Sequence, residues 1–214
     1  MYYFEEKPIS KAVIRRLPRY YRYLNELLEQ GVDRISSKDL SRLMNVTASQ
    51  IRQDLNNFGE FGQQGYGYNI KNLHTEIGKL LGVDHPYNVI IIGAGNLGRA
   101  LVNYKGFADH GFVFCGMFDR KEELKGTLVG NVEVHTMADL PDFLTENDVS
   151  IAAITIPREA AGEVTKKLYD EGMRYFWNFA HTDLHLPDDA IVKNVHLLDS
   201  LLELSYEINS NDKL

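Results

Sequence analysis

The 214-residue sequence predicts an α/β fold in which an N-terminal winged helix-turn-helix precedes a Rossmann-type parallel-sheet domain. Three observations lead to this prediction. Helical periodicity dominates residues 1–81, apolar strand-like runs alternate with helical segments after them, and a GAGNLG motif directly follows the first strand. Glycine and proline interrupt the helical pattern at residues 82–86, so we expect a short linker between the two parts there.

Composition limits the classes of protein that the chain can be. Its one cysteine, Cys115, excludes an internal disulfide and agrees with a reducing compartment. We find no apolar run of membrane-spanning length and no signal-peptide layout, so we expect a cytoplasmic protein that does not bind a membrane. The net charge is −7, yet residues 1–81 carry 12 basic against 9 acidic side chains. This local excess agrees with nucleic acid bound by the first part alone.

Helical patterns fill most of the first part of the chain. They cover residues 11–30, 37–44, 47–58 and 73–81, with the Gly- and Tyr-rich EFGQQGYGYNI before the last of them. Ser36 or Ser37 can cap the second helix, and Thr47 can cap the third. Three helices followed by a glycine-rich hairpin predict a winged helix-turn-helix whose third helix reads DNA.

The third helix divides its side chains between two sides. Because helical residues turn by about 100°, Ile51, Leu55 and Phe58 share an apolar side that faces the core. The opposite side carries an arginine and amides, which hydrogen-bond to guanine and adenine edges in the major groove. A solvated polar surface is the alternative. Asp54 is expected to project between the two sides.

Basic side chains on the first helix and glycines in the hairpin add phosphate contacts to this surface. The predicted DNA-binding residues are Arg15, Arg16, Thr47, Ser49, Gln50, Arg52, Gln53, Asn56, Gln64, Gly65 and Tyr66. They indicate double-stranded DNA as the partner, with an affinity that falls steeply with salt.

The GAGNLG motif predicts a dinucleotide site. Gly93 permits a tight turn, Gly95 lets the backbone approach a pyrophosphate, and Gly98 lets helix and strand pack closely. The phosphates then meet the N–H groups at the start of a helix. Asp119 ends the second strand, where an acid hydrogen-bonds the adenosine ribose and favours NAD over NADP. An exposed acid at a strand end is the alternative.

An apolar wall at Thr155, Ile156 and Pro157 follows the strand SIAAI. The pyridinium ring of NAD⁺ is positive and costly to desolvate, whereas the ring of NADH is neutral, so we expect a preference for NADH. The predicted nucleotide-binding residues from these patterns are Gly93, Ala94, Gly95, Asn96, Leu97, Gly98, Asp119, Thr155, Ile156 and Pro157.

The order of these motifs resembles the Rex family of redox-sensing transcriptional repressors over nearly the whole chain. The matching segments are RLPRYYRYL, R-x-D-L-x-x-F-G-E-F-G from residue 52, GYGYN, GAGNLGRAL and NFA from residue 178. The resemblance implies a homodimer that binds an inverted-repeat operator and releases it when NADH is high. It also implies that Tyr104 belongs to the nucleotide site and that Arg16 links the domains through the partner's last helix.

The C-terminal helical segment, which follows the last predicted strand of the sheet, carries a stripe of apolar residues. It consists of Leu197, Leu198, Leu201, Leu204 and Ile208. Such a stripe needs a partner surface, and packing on its own chain is the alternative. The resemblance implies that this helix is exchanged in the dimer. His196 stands where the family has an acid, and Asp199 follows one turn later. The predicted domains are residues 1–82, 86–194 and 195–214.

Two other functions stay open from the sequence. One is an NAD-dependent dehydrogenase with an accessory nucleic-acid-binding domain, for which His181 and His185 are the candidate acid-base residues. These histidines also have metal-like spacing, but Pro187 indicates a loop, and we expect no metal site. Once both domains are counted, no substrate domain is left, so we predict that the chain is not an enzyme. The other is a repressor that senses another nucleotide or a sugar phosphate.

Overall fold

The computed structural model describes residues 9–56, 62–63 and 66–211. The chain forms two compact units, Met1–His85 and Pro86–Leu214. The first unit contains α1 (Lys11–Glu29), β1 (Arg34–Ile35), α2 (Ser37–Met44), α3 (Ala48–Leu55), β2 (Gly62–Gln63), β3 (Gly67–Asn69) and α4 (Ile70–Leu81). Its three strands pair antiparallel in the order β1-β3-β2, which gives the sheet of a winged helix.

Side-chain caps set where the helices of the first unit begin. Ser36 accepts a hydrogen bond from the N–H of Asp39, and Thr47 caps α3 in the same way. Asn69 caps α4, which therefore begins at Ile70, three residues earlier than its apolar pattern predicts. Asn45, with φ at 50°, makes the turn between α2 and α3.

The core of the first unit is continuous across all four helices and the sheet. It is formed by Leu17, Tyr20, Leu24, Ile35, Leu40, Met44, Ile51, Leu55, Tyr68, Ile70, Leu73 and Ile77. Ile51 and Leu55 face inward as predicted, whereas Phe58 lies outside the described residues. Gly67 has φ at 72°, and a Cβ there would lie 2.6 Å from the carbonyl oxygen of Ile35. Only glycine fits at this position, where β3 lies against the backbone of β1.

The second unit is built on a seven-stranded sheet of order β10-β9-β8-β4-β5-β7-β6. Its elements are β4 (Tyr87–Ile92), α5 (Asn96–Asn103), β5 (Phe112–Asp119), β6 (Leu128–Val129), β7 (Val132–Thr136), α6 (Leu140–Glu146), β8 (Ile151–Ile154), α7 (Arg158–Asp170), β9 (Tyr175–Asn178), β10 (Ile191–Asn194) and α8 (Leu197–Asn211). All neighbouring strands pair parallel except β6, which pairs antiparallel with β7.

Strand β4 is buried on both faces of this sheet. Ile90 and Ile92 belong to one apolar cluster, and Val89 and Ile91 belong to another. Alternate residues of a strand point to opposite faces, so the two clusters are the two cores of a sheet covered on both sides. The sheet therefore has the Rossmann-type layering that alternating strands and helices predict.

Two edge strands and the last helix depart from this pattern of burial. Strands β6 and β10 were not evident from the sequence, since one is two residues long and the other, IVKN, is mostly exposed. Helix α8 forms as expected, but none of its described residues is buried, and Leu201 is 61% exposed. Over its described residues α8 is thus not packed on its own chain, which was the alternative, and its exchange in a dimer stays a prediction. Among the described residues, we find no helix long and apolar enough to cross a membrane.

Candidate functional site

The strand order of the second unit changes direction between β4 and β8. Open α/β sheets bind ligands at such a switch point, beyond the carboxyl ends of the strands. The glycine motif follows β4, and Thr155 follows β8. The hydroxyl of Thr155 lies 3.0 Å from the carbonyl oxygens of both Ile92 and Gly93. Thr155 thus supports the glycine turn, and the structure brings these two predicted segments together.

Glycine stands at the three positions of the motif for different reasons. Gly93 has φ at 109°, and a Cβ there would lie 2.9 Å from Cγ2 of Ile156. A Cβ on Gly98 would overlap the carbonyl oxygen of Gly93, so glycine is needed for close helix packing. Gly95 has an ordinary extended backbone and open space around its missing side chain. The fold does not require glycine at 95, whereas a ligand that approached the backbone closely would require it.

Helix α5 begins beside that open space. Gly95 is its N-cap, without a side-chain cap, and the first turn contains no acid. Arg99 is the first residue of the helix whose N–H donates back into the turn, to the carbonyl oxygen of Gly95 at 3.0 Å. The earlier N–H groups of a helix have no partner within it and attract anions. The residues present therefore fit a pyrophosphate.

Asp119 is attached to the glycine turn by hydrogen bonds. Its Oδ2 accepts from the N–H of Ala94 at 2.8 Å, and its Oδ1 accepts from the N–H of Lys121 at 3.0 Å. Asp119 is thus a partly buried acid at the end of β5 that also orders the glycine turn. A carboxylate has about four acceptor positions, so Asp119 keeps capacity for ribose hydroxyls, and that contact stays a prediction.

Tyr104 lies at the other end of α5 from the glycines, about 12 Å along the helix. Its ring is 63% exposed and packs edge-on against Phe107, with centroids 5.1 Å apart. Phe107 in turn meets Trp177 edge-on at 5.4 Å. The structure does not place Tyr104 beside the predicted phosphate position, and its contact with a nucleotide stays a prediction.

Helix α3 presents the predicted polar face to solvent. Ser49, Arg52, Gln53 and Asn56 are exposed, and Nη1 of Arg52 donates to the Ser37 hydroxyl at 3.1 Å. Of the remaining predicted DNA-binding residues, Arg15 and Thr47 are exposed and Tyr66 is 71% exposed. Gln64 and Gly65, which belong to the predicted glycine-rich hairpin, lie outside the described residues. The structure thus exposes most of the expected set on one unit.

Asp54 lies where sequence reasoning did not place it. Its side chain is fully buried, and it accepts hydrogen bonds from Nε and Nη2 of Arg16, at 2.6 and 2.8 Å. The Tyr20 hydroxyl donates to it at 2.9 Å and Nε2 of Gln50 at 2.7 Å. Two of the predicted DNA-binding side chains, Arg16 and Gln50, therefore bind the buried carboxylate on the inner side of α3.

This network shifts the acid-base properties of its members. Burial alone raises the pKa of the Asp54 carboxyl, but the hydrogen bonds from Arg16, Tyr20 and Gln50 together hold that pKa below its ordinary value. Burial and the hydrogen bond to Asp54 raise the pKa of Tyr20. The sequence did hold a signal, because Arg16 and Tyr20 are four residues apart, as are Gln50 and Asp54.

The two candidate acid-base histidines lie in a loop, as Pro187 indicates. His181 and His185 are exposed, and the ring of His181 stacks on His196 with centroids 6.1 Å apart. Over the described ranges, no group of three or more His, Cys, Asp or Glu side chains is arranged to hold a metal ion.

Comparisons with known proteins fit both units. A family model described as putative DNA-binding protein N-terminus matches residues 8–56, and one described as CoA binding domain matches residues 84–182. The redox-sensing transcriptional repressor Rex of Clostridioides difficile (strain 630) is 52% identical over 200 residues, which are 94% of this chain and 95% of that protein. The chain belongs to the Rex family. The Rex protein of Thermoanaerobacter sp. (strain X514) is also 52% identical, over 95% of this Rex chain and 91% of its own length.

Solved structures of RSP, a Rex-family repressor, match 96% of this chain. RSP in complex with β-NAD⁺ and operator DNA is 51% identical, with a TM-score of 0.90 over 96% of this chain and 95% of that one. RSP in complex with β-NADH is 48% identical, with a TM-score of 0.87 over 96% and 97%. The fold class and the family predicted from the sequence are confirmed.

Proposed function

We propose that this Rex-family chain is a redox-sensing transcriptional repressor that binds an inverted-repeat operator as a homodimer and releases it when NADH occupies its second unit. The observation that carries the proposal is the open backbone at Gly95, beside the start of α5 and Asp119. A ligand site of this kind, in a chain whose α3 exposes arginine and amides, fits a regulator whose signal is a nucleotide.

Different residues would bind the different chemical groups of the nucleotide. The turn at Gly93, Gly95 and Gly98 would bind the pyrophosphate, Asp119 the adenosine ribose, and the wall of Ile156 and Pro157 the nicotinamide. The turn is completed by Ala94, Asn96, Leu97 and Thr155. We include Tyr104 because membership of the Rex family implies that it belongs to the nucleotide site. When bound, the nucleotide supplies a ring whose charge differs between its two oxidation states. A half-buried Ile156 disfavours the charged ring, which supports a preference for NADH.

The operator would be read by the exposed face of α3. Ser49, Arg52, Gln53 and Asn56 would face base edges, while Arg15, Thr47 and the wing residues Gln64, Gly65 and Tyr66 would face phosphates. We no longer assign Arg16 and Gln50 as direct DNA contacts, because both side chains hydrogen-bond to Asp54. RSP, whose sequence is 51% identical to this chain, was solved in complex with operator DNA. This supports duplex DNA as the partner.

A second copy of the chain is the proposed partner of α8. Its leucines are exposed along the whole helix, and burying them would stabilise a dimer. We keep the domains 1–82, 86–194 and 195–214, with the last one exchanged between subunits. The link of Arg16 to the partner's last helix, through His196 or Asp199, is part of this proposal. In its own chain Arg16 binds Asp54, while the Asp199 N–H donates to the His196 carbonyl oxygen.

We also propose that the chain has no enzymatic activity and works in the cytoplasm. The Rex relatives are described as transcriptional repressors. His181 and His185, the candidate acid-base residues of a dehydrogenase, are exposed on a loop rather than held in a defined geometry. Catalysis requires such groups to be fixed beside a reacting atom, so this arrangement favours a sensor.

The deciding experiment is an electrophoretic shift on inverted-repeat promoter DNA, with NADH and NAD⁺ titrated in turn. We expect NADH to release the DNA at concentrations where NAD⁺ does not. Release by neither nucleotide, with occupancy verified by calorimetry, would overturn the proposal. Thermal shifts with NADH, NADPH and coenzyme A test the remaining alternative, because one family model is described as CoA binding. Stabilisation by coenzyme A alone would identify a different signal.

A further inference from the structure

Helix α3 is attached to α1 through the buried carboxylate of Asp54. Asp54 is fully buried and, from described residues, accepts two hydrogen bonds from Arg16 and one each from Tyr20 and Gln50. A second arginine of α1, Arg19, donates to the carbonyl oxygen of Met44 at 2.6 Å, at the end of α2. Helix α1 therefore fixes both helices of the helix-turn-helix by directional bonds.

Apolar contacts could hold α3 in place without a charge. Ile51 and Leu55 already bury the inner side of the helix in the core. A buried ion pair adds little net stability compared with apolar side chains of the same size, because desolvation cancels much of its attraction. Its bonds are directional, however, and fix the angle and rotation of a helix more narrowly than methyl groups can.

The same bonds decide which side chains reach DNA. The side chain of Arg16 is 26% exposed, and its guanidinium gives two of its donors to Asp54. The amide of Gln50 turns inward to the same carboxylate. Two donors of a positive side chain next to α3 are thereby occupied, whereas an arginine free to contact phosphates would strengthen binding to every sequence alike.

We propose that Asp54 is a positioning residue for operator recognition, which orients α3 through Arg16 and Tyr20 and withholds Arg16 from the DNA backbone. The proposal rests on the DNA-binding function proposed above. Its consequence is that Asp54 increases discrimination between operator and other DNA, although it never contacts DNA. Loss of Asp54 should therefore change specific and non-specific binding in different ways.

The test compares Asp54→Asn with the unaltered full-length chain on two duplexes, an inverted repeat selected by the unaltered chain and a scrambled duplex of equal composition. We expect operator affinity to fall at least about tenfold, while affinity for the scrambled duplex stays the same or rises. Because Arg16 is released to a phosphate, the salt slope on the scrambled duplex should steepen by about 0.9. Adding Arg16→Gln should return that slope to its original value without restoring discrimination.

Two further variants separate positioning from folding. Tyr20→Phe keeps every charge and the packing, and removes only one donor to Asp54, so we expect discrimination to fall about threefold. Arg15→Gln removes an exposed arginine from the same helix and should weaken binding to both duplexes equally. If Asp54→Asn fails to fold, Tyr20→Phe decides alone.

Unchanged discrimination in Asp54→Asn, or in Tyr20→Phe where the first does not fold, would overturn the proposal. Equal losses on both duplexes would also overturn it, since they would show a purely structural role. If the unaltered chain selected no inverted repeat from a pool of random duplexes, the proposed function itself would fail. The two failures are therefore distinguishable.

Discussion

The Asp119 carboxylate accepts a 2.8 Å hydrogen bond from the backbone N–H of Ala94. The end of β5 is thereby attached to the glycine turn after β4, so one acid shapes the turn and retains acceptors for a ribose. Sequence patterns indicated only the second of these roles.

Substitutions of Asp119 should separate the two roles. Asp119→Ala removes both, and we expect NADH affinity to fall by at least about tenfold, because a hydrogen bond to a charged group contributes roughly 1.5–3 kcal/mol. Asp119→Asn keeps an acceptor for Ala94 but lacks the charge that repels a 2′-phosphate, so discrimination against NADPH should weaken. Calorimetry measures both affinities. Operator binding without nucleotide is the control and should persist. Unchanged NADH binding by the alanine variant would remove Asp119 from the site.

Alanine substitutions at Gly95 and Gly98 should separate binding of the pyrophosphate from packing of the fold. Gly98→Ala places a Cβ against the carbonyl oxygen of Gly93, and overpacking of this kind costs about 1–3 kcal/mol or more. We expect its Tm to fall by at least about 5 °C without ligand. Gly95→Ala meets open space and should leave the Tm unchanged while abolishing NADH binding. If the Gly95→Ala chain binds NADH normally, the phosphates lie elsewhere.

Arg52 is the exposed arginine of α3 and the best candidate for a bidentate base contact. Arg52→Ala should cost about 1–3 kcal/mol of operator binding and leave NADH binding unchanged. Its hydrogen bond to Ser37 could instead serve to order α2 and α3. Ser37→Ala is therefore the control, and we expect it to change operator affinity less than twofold. Equal losses in both variants, measured by anisotropy, would assign Arg52 a structural role.

The exposed stripe of α8 predicts a dimer that one charge should break. Leu201→Asp puts a carboxylate into the stripe, and we expect a monomer by sedimentation at micromolar concentration. Operator affinity should fall at least about tenfold, because a monomer engages one half-site. Glu203→Gln, on the same helix, should remain dimeric. A dimeric Leu201→Asp chain would show that α8 is not the interface.

Asp54 predicts acid sensitivity of the first unit. Its pKa in the folded chain lies below the ordinary value of 3.8, so the folded state binds the carboxylate form better than the acid form. This stabilisation is present above pH 3.8 and is lost as the pH falls through the folded value. Circular dichroism between pH 6 and 2 should show a steeper loss of stability in the unaltered chain than in Asp54→Asn. Parallel curves would contradict the prediction.

Local patterns were sufficient for most of the fold. Apolar spacing predicted α2 over its observed residues, and Thr47 caps α3 as its side chain suggests. These signals depend on neighbours within about four residues, so the chain displays them without its tertiary structure. The glycine motif belongs to the same class, because a tight turn between strand and helix is a local event.

What the sequence by itself determined is therefore the two-part architecture, the family and the exposed face of α3. Only the tertiary structure decided the partners of charged side chains. Asp54 meets Arg16 from 38 positions away, and Asp119 meets the backbone of Ala94 from 25 positions away. Periodicity gives the direction of a side chain but not what it meets, so burial of a charge is decided by packing between elements. For the same reason β10 exists through its pairing with β9, and α8 exposes a stripe that a single chain does not cover.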